Sequence, residues 1–248
     1  METAALVDYE SLLQRFYESF LLPGMLAVDV GANVGRHAFE MLRLVGPAGR
    51  VVMFEPIPEL HAALAVRLQS DEALRQRATL YPFALSDVPG QFEFCLALDD
   101  LAYSGFRERR YGREMRVEKI DVEARRLDDL LAIVPRLDYI KIDTEGAEWN
   151  VLRGARDSIR RCRPVVSFEF GENSYAPYGV DPDAVWQFFT AENYALFDIC
   201  GRALGKYDFA ESSVRQAVWD YLALPAERCE DLAATLRHNA AAINSTGT

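Results

Sequence analysis

Asp29-Val30-Gly31-Ala32-Asn33-Val34-Gly35 follows directly on the apolar run Met25-Leu26-Ala27-Val28, and its reading decides the fold. An apolar run that meets an acid, crosses glycines and resumes as an amphipathic pattern is a buried strand, a tight turn and a helix start. The glycines permit positive φ and let a ligand approach the backbone closely. The helix start then offers N–H groups with no partner inside the helix.

Working outward, residues 8–21 pattern as an amphipathic helix capped by Asp8, with Tyr9, Leu12, Leu13, Phe16 and Phe20 on one face and Pro23-Gly24 ending it. After the turn come a helix with Ala38, Met41, Leu42 and Val45 inward and a second apolar strand, Arg50 to Glu55, again ending in an acid. A helix introduced by Pro56 and Pro58 follows. Strands are then expected at Thr79–Leu85, Gln91–Leu98, Val117–Val122, Leu137–Asp143, Pro164–Phe170, Tyr194–Ile199 and, after a turn, Ala217–Leu224. Helices fall at Leu127–Leu131, from about Ala147 to Arg161 with a break at Gly154, at Asp181–Ala191, and beyond Pro225. The polar segment Asp99–Arg113 shows no period and reads equally as a loop over a site or a solvated one. Continuous apolar strands alternating with helices imply an α/β fold, a mostly parallel sheet with helices on both faces. The expected division is a helical extension (1–24), a body (25–225) and a C-terminal helix and tail (226–248).

The 248 residues are 50% hydrophobic, enough for one large domain. A net charge of −11 argues against a nucleic-acid binder. No apolar run approaches the roughly 20 residues of a membrane span. Cys95, Cys162, Cys200 and Cys229 have no metal-ligand spacing and read as reduced thiols of a cytoplasmic protein. The acidic N-terminus shows no signal peptide. A homo-oligomer is compatible with this composition.

Ligands of such sheets bind at the carboxyl ends of the strands. Those ends carry Asp29 with the glycine turn, Glu55, Ala84-Leu85-Ser86-Asp87, Asp143-Thr144-Glu145 and Glu169. One acid there commonly caps a helix; carboxylates at one strand end after another form a constellation. Glu55 lies about 20 residues beyond Gly35, the spacing at which an acid binds the hydroxyls of a cofactor ribose. The turn lacks one glycine of the Gly-x-Gly-x-x-Gly pyrophosphate cradle, and Asp29 beside it repels a pyrophosphate but favours an amino or sulfonium group. S-adenosylmethionine fits better than NAD.

Three stretches carry a family likeness: Val28 to Gly35; Phe54-Glu55-Pro56; and Asp138-Tyr139-Ile140-Lys141-Ile142-Asp143-Thr144-Glu145-Gly146-Ala147-Glu148, followed by Val151-Leu152-Gly154-Ala155 and Pro164 to Glu169. The chain resembles the FkbM family of S-adenosylmethionine-dependent methyltransferases over about residues 25–200. The resemblance implies a class I methyltransferase (Rossmann-like) fold with a seven-stranded, mostly parallel sheet. It places Asp29, Gly31, Asn33 and Gly35 around the methionine part of the cofactor, Glu55 on the ribose, and Ala84, Leu85 and Ser86 along the adenine. Asp143 and Glu145 would lie beside the transferred methyl, and a small hydroxylated metabolite, sugar or polyketide-like molecule is the implied acceptor.

An alcohol acceptor must lose its proton, so Asp143, Glu145 and Glu169 are the catalytic candidates. Glu145 closing the turn and Glu169 holding a basic side chain are the structural alternatives. No metal site is expected: Asp143 and Glu169 could hold a divalent ion as in catechol-type enzymes, but no second carboxylate or Asn stands beside Glu169. His37 reads as a packing residue near enough to touch the site; Trp149, Tyr175 and Tyr178 are candidate acceptor-pocket walls. The rivals are an N-methyltransferase, a nicotinamide-dependent oxidoreductase and a non-catalytic cofactor-binding subunit.

Overall fold

A computed structural model describes residues 8–216 and 218–246, with side chains placed as far as Asn239. In chain order the elements are α1 (Tyr9–Glu18), β1 (Leu26–Val30), α2 (Arg36–Val45), β2 (Arg50–Phe54), α3 (Pro58–Gln69), α4 (Glu72–Arg75), β3 (Ala78–Tyr81), β4 (Ala84–Leu85), β5 (Gly90–Ala97) and β6 (Val117–Arg125). There follow α5 (Leu127–Leu130), β7 (Tyr139–Ile142), α6 (Glu148–Gly154), α7 (Arg156–Cys162), β8 (Val165–Glu169), α8 (Glu172–Tyr175) and α9 (Pro182–Ala191). The last are β9 (Tyr194–Asp198), β10 (Ala203–Leu204), α10 (Lys206–Arg215), β11 (Asp220–Pro225) and α11 (Cys229–Thr246).

The main sheet runs β10-β9-β11-β8-β7-β1-β2-β3. Strands β3, β2, β1, β7 and β8 pair in parallel, whereas β11 enters antiparallel between β8 and β9. From β1 the chain builds outward through β2 and β3, then returns to add β7 on the other side of β1. The order therefore reverses between β1 and β7, which opens a crevice beyond their carboxyl ends. Strand β7 is buried at all four positions and β11 at five of six, as strands covered on both faces must be.

Eight strands stand where seven were expected. The extra one is β10, a two-residue edge strand antiparallel to β9. The expected strand Thr79–Leu85 divides at Pro82, whose missing N–H cannot continue a ladder. Its first part is β3; its second, β4, joins β5 and β6 in a separate three-stranded sheet. Residues 200–216, read as a turn, hold β10 and α10. Helix α10 buries Phe209, Ser212 and Ser213, so two of its three inward positions are serines and no apolar period marks it. The final strand starts at Asp220; Ala217, its expected first residue, lies outside the described residues.

Helix α1 is capped by Asp8, which accepts from Ser11 N at 3.1 Å. It buries Leu12, Leu13, Phe16 and Tyr17 and packs against α11 and α2. Its first residues thereby reach the crevice at the end of β1.

Candidate active site

The crevice holds a cavity of about 460 Å³. Its walls come from the ends of β1 (Val30, Gly31, Asn33), β2 (Phe54, Glu55, Pro56), β4 (Ala84, Leu85), β7 (Asp143, Thr144, Glu145) and β8 (Glu169). Segments far from these in sequence complete it: Asp8, Tyr9 and Glu10 of α1 and its cap, Asp100 to Ser104, Phe106 and Arg109, and Trp219-Asp220. Asp29, Gly35 and Ser86 lie behind the wall rather than on it. Ser86 is buried under α6, where a Cβ on Gly154 would come within 2.3 Å of its carbonyl oxygen.

Gly31 and Gly35 both have left-handed backbones, with φ of 80° and 81°. A Cβ on Gly31 would sit 1.9 Å from the Asp143 carbonyl oxygen, so the turns after β1 and β7 close on each other only through glycine. At Gly35 a Cβ would instead strike Phe39 of α2 and Leu64 of α3. The Glu55 carboxylate pins the first turn, accepting from Asn33 N at 2.7 Å and Ile57 N at 2.9 Å. Burial pushes its carboxyl up to about 7 despite those two donors. Each oxygen keeps a lone pair for a further donor.

Asp29 and Lys141 are paired positions of β1 and β7, both almost wholly buried. Lys141 Nζ lies 3.7 Å from Asp29 Oδ1 and 3.0 Å from Asp143 Oδ2. Burial works against the ammonium, but Asp143, Asp29 and Glu10 outweigh it and hold Lys141 well above its ordinary value. Its charge is therefore fixed, and it holds Asp143 in turn. Burial drives Asp143 up, yet Lys141 and a hydrogen bond from Glu169 leave its carboxyl below the usual range. Glu169 moves the other way, raised by burial and by the charges of Glu145 and Asp143. The two acids are thus driven apart, Asp143 toward its charged form and Glu169 toward its neutral one.

Glu145 occupies a left-handed position, φ 56°, in the turn after β7. It pairs with Arg109 in a contact buried on both sides, and Arg109 also lies over the Tyr103 ring at 4.8 Å. Burial and the Asp143 charge raise the Glu145 carboxyl, with Arg109 pulling against them. Glu148 organises the same turn: its Oε1 accepts from Thr144 N, Thr144 Oγ1 and Gly146 N at 2.8, 3.0 and 3.1 Å.

Asp143, Glu145 and Glu169 each bring one oxygen within 4.8 Å of the others. The third carboxylate for a metal set thus comes from Glu145 and not from a neighbour of Glu169. Arg109 and Lys141 already neutralise two of the three. The cavity wall as described carries eight acidic side chains, Glu10, Glu55, Asp143, Glu145, Glu169 and Asp220 with Asp8 and Asp100, several raised toward the neutral form by burial, against one cation, Arg109. Such a wall attracts a positively charged ligand.

Several expected walls are elsewhere. Tyr175 stacks on Phe170 at 4.3 Å and Trp149 packs edge-on against Phe188. Tyr178 accepts from Arg107 N at 3.1 Å and so ties down the 99–113 segment without lining the cavity. Trp219 supplies the indole instead. His37 is buried behind α1, its Nε2 2.5 Å from Glu10 Oε2 and its Nδ1 3.0 Å from Tyr17 Oη. It fixes Glu10, whose other face opens on the cavity. Lys141, Arg109, Glu10 and Asp220 were not singled out from sequence. Only Lys141 left a signal, as a lone cation inside a buried strand.

Residues 29–196 match the family model described as the methyltransferase FkbM domain. The chain is 29% identical over 154 residues to methyltransferase sdnD of Sordaria araneosa, covering 51% of this chain and 59% of that one. It is also 29% identical over 154 residues to 2-O-methyltransferase NoeI of Sinorhizobium fredii, covering 57% and 61%. It therefore spans about three-fifths of the length of these curated relatives. Among solved structures, an FkbM methyltransferase from Methylobacillus flagellatus superposes with a TM-score of 0.50 at 17% identity, over 81% of this chain and 43% of that one, a likeness of fold. That fold is the class I architecture of S-adenosylmethionine-dependent methyltransferases. The chain belongs to the FkbM methyltransferase domain family.

Proposed function

We propose that this protein transfers the methyl group of S-adenosylmethionine to a hydroxyl oxygen of a small acceptor such as a sugar, polyketide-like molecule or other metabolite. The observation that carries the reading is the meeting of Glu55 with the Asp143–Glu169 pair on the wall of one acidic cavity. The cavity fits the cofactor on its own chemistry. Glu55 offers lone pairs for the ribose hydroxyls, and the carboxylate wall suits the ammonium and sulfonium charges. The apolar Ala84 and Leu85 suit a base edge. The same wall opposes a dinucleotide, whose pyrophosphate is anionic.

Gly31 and Asn33 would hold the methionine end, backed by Asp29 and Gly35; Ser86 would support the adenine edge from beneath. Bound there, the cofactor supplies a methyl group already activated by its sulfonium. The protein's remaining work is to orient the acceptor, exclude water and take its proton. Asp143, ionised beside Lys141, is the proton acceptor, and Glu169 shares the proton within the pair. Glu145, clamped by Arg109, shapes the acceptor side of the turn. The name of the relative NoeI, a 2-O-methyltransferase, supports oxygen as the site of methylation.

The test is transfer of labelled methyl from S-adenosylmethionine to a panel of hydroxylated sugars and phenols. Wild-type transfer to a hydroxyl that is lost in Asp143→Asn, with cofactor affinity kept, supports the reading; transfer to amines alone overturns the oxygen assignment.

A further inference from the structure

A second cleft, of about 330 Å³, adjoins the cofactor cavity and shares Tyr103, Arg109 and Trp219 with it. Its sign is opposite. Arg109, Arg110 and Arg113 are its charged lining residues, and no carboxylate lies on its described walls. In a chain of net charge −11 this local reversal needs a cause.

The neighbouring arginines are engaged. Arg109 pairs with Glu145, Arg116 pairs with Asp99, and Arg107 lies over the Tyr178 ring. Arg110 and Arg113 make no ion pair within 4 Å among the described residues, though Arg113 stands near enough to Asp99 to help Arg116 lower its carboxyl. Nor do they hang on a free loop, because Arg110 N donates to the Asn173 carbonyl at 2.9 Å and ties this wall to α8. Three further walls are aromatic, Tyr103, Tyr111 and Trp219, with Met115 and Asn173 beside them. Two guanidinium groups with no direct ion pair among the described residues, beside aromatic walls, match an oxyanion attached to a ring, since the planar fork of arginine binds carboxylate or phosphate through paired hydrogen bonds.

Resting on the methyltransferase reading, we propose that this cleft is the acceptor's oxyanion subsite. The acceptor is a ring-bearing small molecule with a carboxylate, phosphate or sulfate. Arg110 and Arg113 hold that group, and the ring passes between Tyr103 and Trp219. Its hydroxyl thereby reaches the Asp143–Glu169 pair through the part of the wall common to both cavities. The positive cleft selects an acid from neutral analogues, while the acidic cavity next to it selects the cationic cofactor.

The test is a saturation-transfer NMR titration of the full chain loaded with S-adenosylhomocysteine, using 4-hydroxybenzoate, 4-hydroxyphenyl phosphate and the neutral 4-hydroxybenzamide. At least one anion is expected to bind tenfold or more tighter than the amide, and which one does so separates carboxylate from phosphate recognition. In Arg110→Gln/Arg113→Gln the preference should fall below twofold, with affinity for S-adenosylhomocysteine unchanged as the check on folding. Equal binding of amide and anions, no binding of either anion, or a preference that survives the double substitution would overturn the subsite alone. Failure of the wild-type chain to bind S-adenosylhomocysteine would overturn the subsite and the methyltransferase reading together.

Discussion

The two ends of the cavity are built in different ways. The end proposed for the cofactor is a set of strand termini: Gly31, Glu55 and Asp143 each follow directly on a buried parallel strand. Its geometry is inherited from the sheet register, which fixes β1 against β2 and β7 residue by residue. The end proposed for the acceptor is assembled from the 99–113 segment, the start of α1 and the Trp219-Asp220 approach to β11, tied by side-chain contacts such as Arg109–Glu145. Sheet register and backbone closure set one end, whose Lys141 ion pairs lie within paired strands, and side-chain contacts between distant segments set the other. Substitutions should therefore fail differently at the two ends.

The largest effect is expected at the closure itself. Gly31→Ala places a Cβ 1.9 Å from the Asp143 carbonyl on a left-handed backbone. A destabilisation of about 3 kcal/mol or more is expected, read as a fall in melting temperature with loss of cofactor binding. A folded, cofactor-binding variant would break the claim that the β1 and β7 turns depend on close approach. Next, Asp143→Asn should lower turnover about 10²–10⁴-fold while S-adenosylhomocysteine still binds. Equal losses in both would move Asp143 from the chemistry to the cofactor.

A smaller and signed effect is expected of pH on cofactor affinity. The Glu55 carboxyl stands at about 7 in the free protein, raised by burial. Ribose hydroxyls donate to the charged form and lower it, so binding releases a proton below about pH 7. Affinity should then rise with pH up to about 7 and level off above it. Calorimetry in buffers of different ionisation enthalpy reads the proton directly, and proton uptake would contradict the assignment. The smallest effect is expected from chelation. Lys141 and Arg109 occupy two of the three clustered carboxylates, so EDTA should leave turnover within about twofold. A loss restored by Mg²⁺ would show that the acids hold a metal.

The same contrast explains what could be read from the sequence. Strand, acid and glycine turn are local patterns, so the parallel sheet and the strand-end acids were legible. Asp29, Gly35 and Ser86 belong to strand ends that border the cavity, but distance along the chain does not tell a lining side chain from one just behind the wall. The acceptor end carries no such period. Arg109 finds Glu145 from 36 residues away across an irregular segment, and Trp219 sits in the bend before β11. The strand division at Pro82 had a visible cause in proline's missing donor. The serine-lined α10 had none that hydrophobic periodicity could detect.

The most direct measurement is a calorimetric titration of S-adenosylhomocysteine into the wild-type chain and Glu55→Ala, with NAD as the control ligand. The expected result is saturable one-to-one binding to the wild type, about 10- to 100-fold weaker in Glu55→Ala for the lost charge-assisted hydrogen bonds, and none with NAD. Binding of NAD without S-adenosylhomocysteine, or full affinity in Glu55→Ala, would contradict the assignment of this cavity to the methyl donor.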